Sequence, residues 1–354
     1  MTPNPLLGVL FHWLGGLASA SFYVPYRGVK RWNWEIFWLT GGIFSWVIAP
    51  WFFASVQTND LMGVMAQVPG SVVGWCMVFG FLWGFGGLTY GLTMRYLGLS
   101  LGMAVVLGLC TVFGTLIPPI VQGTFMREIA GTLSGQIVLL GLAVTVLGII
   151  VVAMAGARKD AALSPEQKAA VVAEFDFRKG IAVAIFSGIM SSCFAFGLAA
   201  GQPVNDLSRA AGTGPLWVGL PTLCIVMFGG LVTNALWCAW LIAKNKSAGQ
   251  WLGAADAQGQ RPALLPNFLL CALAGTAWYF QFFFYTMGES QMGRFGFSSW
   301  TLHMASIIIF GTCWGFAFRE WKDAAPAVRR MVWSGVGLLI LATIIIGYGN
   351  RLAA

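Results

Sequence analysis

His12 and His303 are the two imidazoles of this 354-residue chain, and both fall inside long apolar runs. Each stands about seven residues inside its run, or about 10 Å deep at an α-helical rise of about 1.5 Å per residue. The carboxylates keep to loops and run ends, with Glu35 and Glu289 the nearest to membrane depth. Imidazole, with an unperturbed pKa of about 6.5, is therefore the group placed to load and release a proton near neutrality. The plainer role for either ring is a neutral imidazole hydrogen-bonded to a neighbouring helix.

The faces around these rings carry the groups that a neutral sugar needs. In the first run His12, Gly16, Ser19, Tyr23 and Tyr26 follow at i, i+4, i+7, i+11 and i+14, a small, polar and aromatic stripe suited to an interior cleft. Trp278, Gln281 and Tyr285 repeat the pattern at i, i+3 and i+7, Trp83, Gly87 and Tyr90 mirror it, and Ser299 and Trp300 precede His303. Asn234 and Gln281 are amides inside apolar runs, costly against lipid, so they face protein, water or substrate. Aromatic rings take the C–H face of a sugar, while amide, hydroxyl and imidazole groups meet its hydroxyls. No Arg or Lys lies mid-run to clamp a phosphate or carboxylate. A single Trp or Tyr near a run end serves equally well in an interface belt or in packing.

The elements that must position these groups follow from composition. Residues of the AVILMFWYC set make up 58% of the chain and charged residues 9%, with a mean hydropathy of +0.78. That cannot clothe a soluble surface, so an all-α integral membrane protein is expected, and disordered, coiled-coil and nucleic-acid-binding classes are excluded. Ten spans are predicted near 5 to 26, 34 to 57, 70 to 95, 99 to 122, 134 to 156, 180 to 201, 216 to 242, 265 to 288, 297 to 318 and 331 to 350. MTPNPLLGVLF lacks the positive start of a secretory signal, so the first span is expected to be retained. Glycines in small-xxx-small spacing, such as Gly80/Gly84 and Gly311/Gly315, let backbones approach closely. All seven cysteines lie in apolar runs without a CxxC pair and read as packing residues.

Sixteen of the 20 Lys and Arg residues fall on one side when loops alternate; Arg127, Arg209, Arg294 and Arg351 fall on the other. The rich side is expected to be cytoplasmic, which puts both termini outside. Residues 158–179 form a charged linker, with Ser164, Pro165 and Gln167 placed to cap a short surface helix, between a first repeat at 1–157 and a second at 180–354. An odd number of spans per half inverts the second half. Trp83, Tyr90 and Gly98 match Trp278, Tyr285 and Gly293 at one offset of 195, and Gly16, Ser19 and Phe22 match Gly188, Ser191 and Phe194 at one of 172. Inverted repeats build secondary transporters with the site between the halves. No HExxH, GxSxG, P-loop lysine or metal-ligand spacing is present, and GFGG at Gly84–Gly87 lacks the context of a dinucleotide fingerprint. The reading is a transporter driven by an ion gradient, not an enzyme, with no metal and no cofactor beyond a co-transported proton.

Phe11 to Glu35 (FHWLGGLASASFYVPYRGVKRWNWE), Tyr90 to Gly102, Gly114 to Ile120, Glu174 to Gly180, Trp278 to Tyr285 (WYFQFFFY) and Ser299 to Met304 (SWTLHM) resemble the bacterial L-rhamnose–proton symporter family. The resemblance runs in register over nearly the whole chain. It implies the drug/metabolite transporter fold of two inverted five-helix halves, and uptake of L-rhamnose, a 6-deoxyhexose, with a proton across the bacterial inner membrane. His12 and His303 lie in matched motifs and are carried over as proton-coupling candidates, and Tyr23, Trp278, Tyr279, Gln281 and Trp300 as substrate candidates; Ser19, Trp83, Tyr90 and Asn234 join them from the stripes above. The segment before Ser298, Arg294 to Phe297, has no carboxylate, which leaves more of the burden of coupling on the histidines. A monomer in membrane lipid is expected. An exporter of metabolites or drugs on the same fold is the runner-up, and a membrane sensor or intramembrane enzyme stands behind it.

Overall fold

A computed structural model of the chain describes residues 3–97, 99–162, 176–255 and 259–353. Among the described residues ten helices are long and apolar enough to cross a membrane: α1 (Pro5–Tyr26), α2 (Trp34–Gln57), α3 (Gly70–Thr93), α4 (Gly102–Val121), α5 (Leu133–Ala161), α6 (Phe177–Ala210), α7 (Leu220–Asn245), α8 (Leu264–Ser290), α9 (Phe295–Ala317) and α10 (Pro326–Arg351). The described residues include no strand. Gly98 and the linker residues Ser164, Pro165 and Gln167 lie outside the described residues.

Local chemistry sets the helix ends. Asn4 Oδ1 accepts from Leu7 N at 3.3 Å with Pro5 at the first turn of α1, and Thr132 Oγ1 accepts from Gly135 N at 3.1 Å to start α5. Asp176 Oδ1 accepts from Lys179 N at 3.0 Å, which starts α6 three residues earlier than hydropathy alone places it. That backbone N–H holds the Asp176 carboxyl below its usual range, so the cap stays ionised. The α6 segment also runs past residue 201 to Ala210, a polar stretch that hydropathy does not extend through. Pro221 at the first turn of α7 moves its start to Leu220. In α2 the N–H that Pro50 lacks is absorbed by a π-turn over Phe44–Ile48, closed by Ala49 N on Phe44 O, which turns Ser45 and Trp46 inward.

The helices are inside out relative to a soluble bundle. On α1, Gly8, His12, Gly15, Gly16 and Ser19 are buried while Leu6, Leu10, Leu14 and Leu17 are exposed, which suits protein on one face and lipid on the other. α1 packs on α8 and α9, α6 on α3 and α4, α5 on α10, and α2 and α7 on α8 and α3 respectively. The largest core follows α8, through Tyr279, Phe282, Phe283 and Tyr285, with Phe194 of α6, Trp46 of α2 and Trp300 of α9. All seven cysteines are free thiols; six are buried and Cys313 is exposed.

Candidate functional site

Small residues let α1, α8 and α9 close on each other, and this brings the two imidazoles to one aromatic ring. A Cβ on Gly288 would lie 2.7 Å from His12 Cε1, and one on Gly15 would lie 3.3 Å from His303 Nδ1. Each histidine of one helix thus fills the space left by a glycine of another. Tyr285 stands between them, its ring centroid 5.3 Å from His12 and 5.4 Å from His303. Trp300 closes the group at 5.7 Å from Tyr285, held by its indole N–H donating to Cys110 O at 3.0 Å. Ser306 Oγ lies 2.9 Å from His12 O and 2.8 Å from His303 O, its hydroxyl donating to these backbone carbonyls.

Both imidazoles are fully buried, and neither nitrogen of either ring has a hydrogen-bond partner among the described residues. The same is true of Gln281 Nε2, Trp278 Nε1 and Tyr279 Oη. Buried polar groups are ordinarily satisfied, so this concentration of free donors and acceptors on α1, α8 and α9 has the capacity to hydrogen-bond water or a hydroxylated solute.

Two cavities open from the face that carries both chain ends, and one of them reaches this group at Tyr285. That face is identified by Asn4 N donating to Gln291 Oε1 at 3.2 Å and Asn350 Nδ2 donating to Ser298 Oγ at 3.0 Å. One cavity, of about 480 Å³, is walled by Gln202, Asn205, Arg209, Thr222, Thr286 and Glu289 among others. The second, of about 280 Å³, runs between α4 and α8 to Tyr285. Gln202, Glu289, Gly293 and Gly296 belong to both walls, so the two form one branched vestibule with Tyr285 at its floor. Its lining offers amides, hydroxyls and a carboxylate in a volume suited to a small solute.

Beneath the floor the path is filled. Phe194 and Phe282 stack at 4.0 Å, flanked by Trp83 at 4.8 Å from Phe194, and Phe22 lies 4.4 Å from Trp278 further on. Below that layer the opposite face is tied by hydrogen bonds. Glu35 Oε1 accepts from Asn33 Nδ2 at 3.2 Å, Asn245 Nδ2 at 3.0 Å and Ser247 Oγ at 2.8 Å. Asn33 and Gln250 bond twice, at 2.7 and 3.0 Å, and Asn267 bonds the Lys30 backbone at 3.2 and 2.9 Å. A further cavity of about 290 Å³ lies beside Lys159 and Glu320 on this side, walled mainly by apolar residues of α4, α5 and α9.

The candidates named from sequence separate into groups. His12, His303 and Trp300 meet at Tyr285, with buried Gln281 one turn away on the same face of α8. Trp83 belongs to the aromatic layer, Trp278 lies at its far edge, and Tyr279 stacks on Phe53 at 5.7 Å. Ser19 is buried on α1. Three others are not brought to the vestibule: Asn234 accepts the Trp38 indole N–H at 3.0 Å and donates to Gly230 O at 2.9 Å, Tyr23 is 45% exposed, and Tyr90 lines the apolar cavity. Gln202, Asn205, Thr222 and Glu289 are vestibule residues that the stripes did not reach. The signal for Glu289 was its place four residues after Tyr285, which continues the polar face of α8. Among the described residues no group of three His, Cys, Asp or Glu side chains is placed to hold a metal ion.

The family described as L-rhamnose-proton symport protein (RhaT) matches residues 1–352. The chain is 36% identical over 348 residues to the L-rhamnose-proton symporter of Pectobacterium atrosepticum, covering 98% of each chain. It is 35% identical over 345 residues to those of Mannheimia succiniciproducens, covering 97% of this chain and 98% of the relative, and of Klebsiella pneumoniae, covering 97% of each.

Proposed function

The chain belongs to the L-rhamnose-proton symport protein family, and from that premise we propose that it imports L-rhamnose together with a proton by alternating access. The carrying observation is the vestibule that opens on one face only as far as Tyr285, where two buried imidazoles with free nitrogens converge. L-rhamnose enters as a neutral polyol, its hydroxyls meeting the amides and hydroxyls of the vestibule and then Gln281, its C–H face meeting Trp300 and Tyr285. Trp83, Trp278, Tyr279 and Ser19 line the onward path once the aromatic layer parts, with Tyr23, Tyr90 and Asn234 as outlying candidates. His12 or His303 carries the proton. The loaded state differs from the empty one in affinity between the two conformations, which is what turns binding into movement.

Two five-helix repeats, residues 1–157 and 180–354, joined by 158–179, supply the rocking units. Their support is the exchange symmetry of the packing: α1 meets α8 and α9 as α6 meets α3 and α4, α2 meets α8 as α7 meets α3, and α5 pairs with α10. Such pairing is what inverted repeats of the drug/metabolite transporter fold require. The vestibule face is taken as periplasmic and the membrane as the bacterial inner membrane, because alternating the loops along the sequence allots 16 of the 20 Lys and Arg to the opposite side. A monomer suffices, since both halves of the site come from one chain. The polar vestibule and the names of the relatives do not favour an exporter of apolar compounds.

The test uses purified protein in liposomes. Wild type accumulates L-rhamnose when an inward proton gradient is imposed, and His12→Gln and His303→Gln lose accumulation while sugar exchange persists. If both variants concentrate L-rhamnose as well as wild type does, the histidines do not carry the proton.

A further inference from the structure

The proton must reach two rings that have no contact with water, and the vestibule holds one group suited to pass it. Glu289 lies in the last turn of α8, four residues beyond Tyr285 and next to Gly288, against which His12 packs. Its carboxylate belongs to the walls of both cavities. Its side chain makes no hydrogen bond and no ion pair among the described residues, and its Cγ lies 3.6 Å from where a Cβ on Gly296 would stand.

The other charges in the vestibule are already neutralised. Arg209 of α6 pairs with Asp206 at 2.7 Å, and Glu128, between α4 and α5, pairs with Arg127 at 2.6 Å. The titratable neighbours on the remaining elements are Tyr285 of α8, His12 of α1 and, one layer deeper, His303 of α9, with Arg294 following in the α8–α9 turn. Among the described side chains, Glu289 is thus the vestibule carboxylate without a counter-charge. An uncompensated charge at a membrane-embedded wall is costly, and a bound proton removes it.

From this geometry we infer that Glu289 is the group that exchanges the co-transported proton with water in the vestibule, ahead of the buried histidines. The inference rests on the symport reading above. A hydronium ion in the vestibule gives its proton to a Glu289 carboxylate oxygen and leaves as water, so the wall becomes neutral as the sugar passes it. On this reading the carboxylate and the histidines share the handling of the proton on this side.

The experiment compares wild type with Glu289→Gln and Glu289→Asp, full-length and in liposomes, by three readings: L-rhamnose counterflow without a gradient, accumulation under an imposed pH gradient, and sugar-evoked proton uptake. With one proton per sugar, a gradient of about one pH unit supports about tenfold accumulation. The expected result is that Glu289→Gln lowers accumulation and proton uptake at least about tenfold more than it lowers counterflow, while Glu289→Asp restores both with a displaced pH profile. Accumulation and pH profile unchanged in Glu289→Gln would overturn the inference. Loss of counterflow in Glu289→Gln, not regained in Glu289→Asp, would also overturn it, because the side chain would then be structural. Wild type that exchanges no L-rhamnose would defeat the symport reading itself, a separate outcome.

Discussion

The two ends of the helix bundle are built on opposite rules. At the end bearing the chain termini, Gln202, Asn205, Thr222, Thr286 and Glu289 face a branched vestibule and are spread over α6, α7 and α8. At the other end polar side chains face each other: Glu35, Asn33, Asn245, Ser247, Gln250 and Asn267 join the α1–α2 connection to the α7–α8 connection. Similar side chains line a cavity in one place, where Thr222 Oγ1 donates to Asn205 Oδ1 at 2.7 Å and Gln202 and Glu289 make no side-chain bond among the described residues, and are knit into a lattice between two connections in the other. Under the proposed alternating access, the gate at this end is a set of modest bonds. A neutral hydrogen bond is worth about 1 kcal/mol net, so a lattice of several holds on its own and stays within reach of the free energy of ligand binding.

Removing the centre of the lattice should break this contrast most strongly. Glu35 is 3% exposed and accepts three side-chain bonds through one oxygen. Bonds to a charged acceptor are worth about 1.5–3 kcal/mol each, so Glu35→Ala is expected to lower stability by about 3 kcal/mol or more. A fall in the thermal unfolding midpoint, together with faster thiol labelling of a cysteine placed at Gln250, checks both the loss and the opening.

Filling the floor of the vestibule comes next. Gly288→Ala sets a methyl group 2.7 Å from His12 Cε1 and 3.0 Å from Gly8 O, an overpacking that costs about 1–3 kcal/mol. Its more telling effect is on coupling, because the methyl displaces the imidazole from Tyr285; gradient-driven accumulation should fall more than counterflow does. Trp300→Phe removes the indole N–H that donates to Cys110 O and costs about 1 kcal/mol. Weaker sugar binding, read from a ligand-dependent shift in unfolding temperature, accompanies it.

The smallest effect on stability belongs to the open end. Gln202 is exposed, lines both cavities and makes no side-chain bond among the described residues. Gln202→Ala should leave stability within about 0.5 kcal/mol and still slow uptake at low L-rhamnose concentration. Equal losses of stability from Gln202→Ala and Glu35→Ala would erase the distinction between the ends.

Much of this arrangement was legible in the residues themselves. The α1 stripe of His12, Gly16 and Ser19 did mark the buried face, because lipid-facing leucines and protein-facing small residues alternate at the helical period. Ten spans were countable for the same reason. What hydropathy could not read was where polar residues continue a helix, as in α6 from 202 to 210, since that extension is supported by packing against water-facing and protein-facing neighbours rather than lipid. Nor could periodicity sort aromatics by function. Trp278, Tyr90 and Trp300 share stripe positions, yet one ends the aromatic layer, one lines an apolar cavity and one meets the histidines, because the crossing of helices, not their period, decides which faces converge. Glu289 was hidden by its position near a run end, where an acid is expected to meet solvent.

Coupling between sugar and proton is most directly tested by L-rhamnose uptake into right-side-out vesicles with and without an inward proton gradient. Symport through this vestibule predicts that the gradient drives internal L-rhamnose above the external concentration and that a protonophore abolishes the excess. Uptake that is the same with the gradient, without it and in the presence of the protonophore would contradict it.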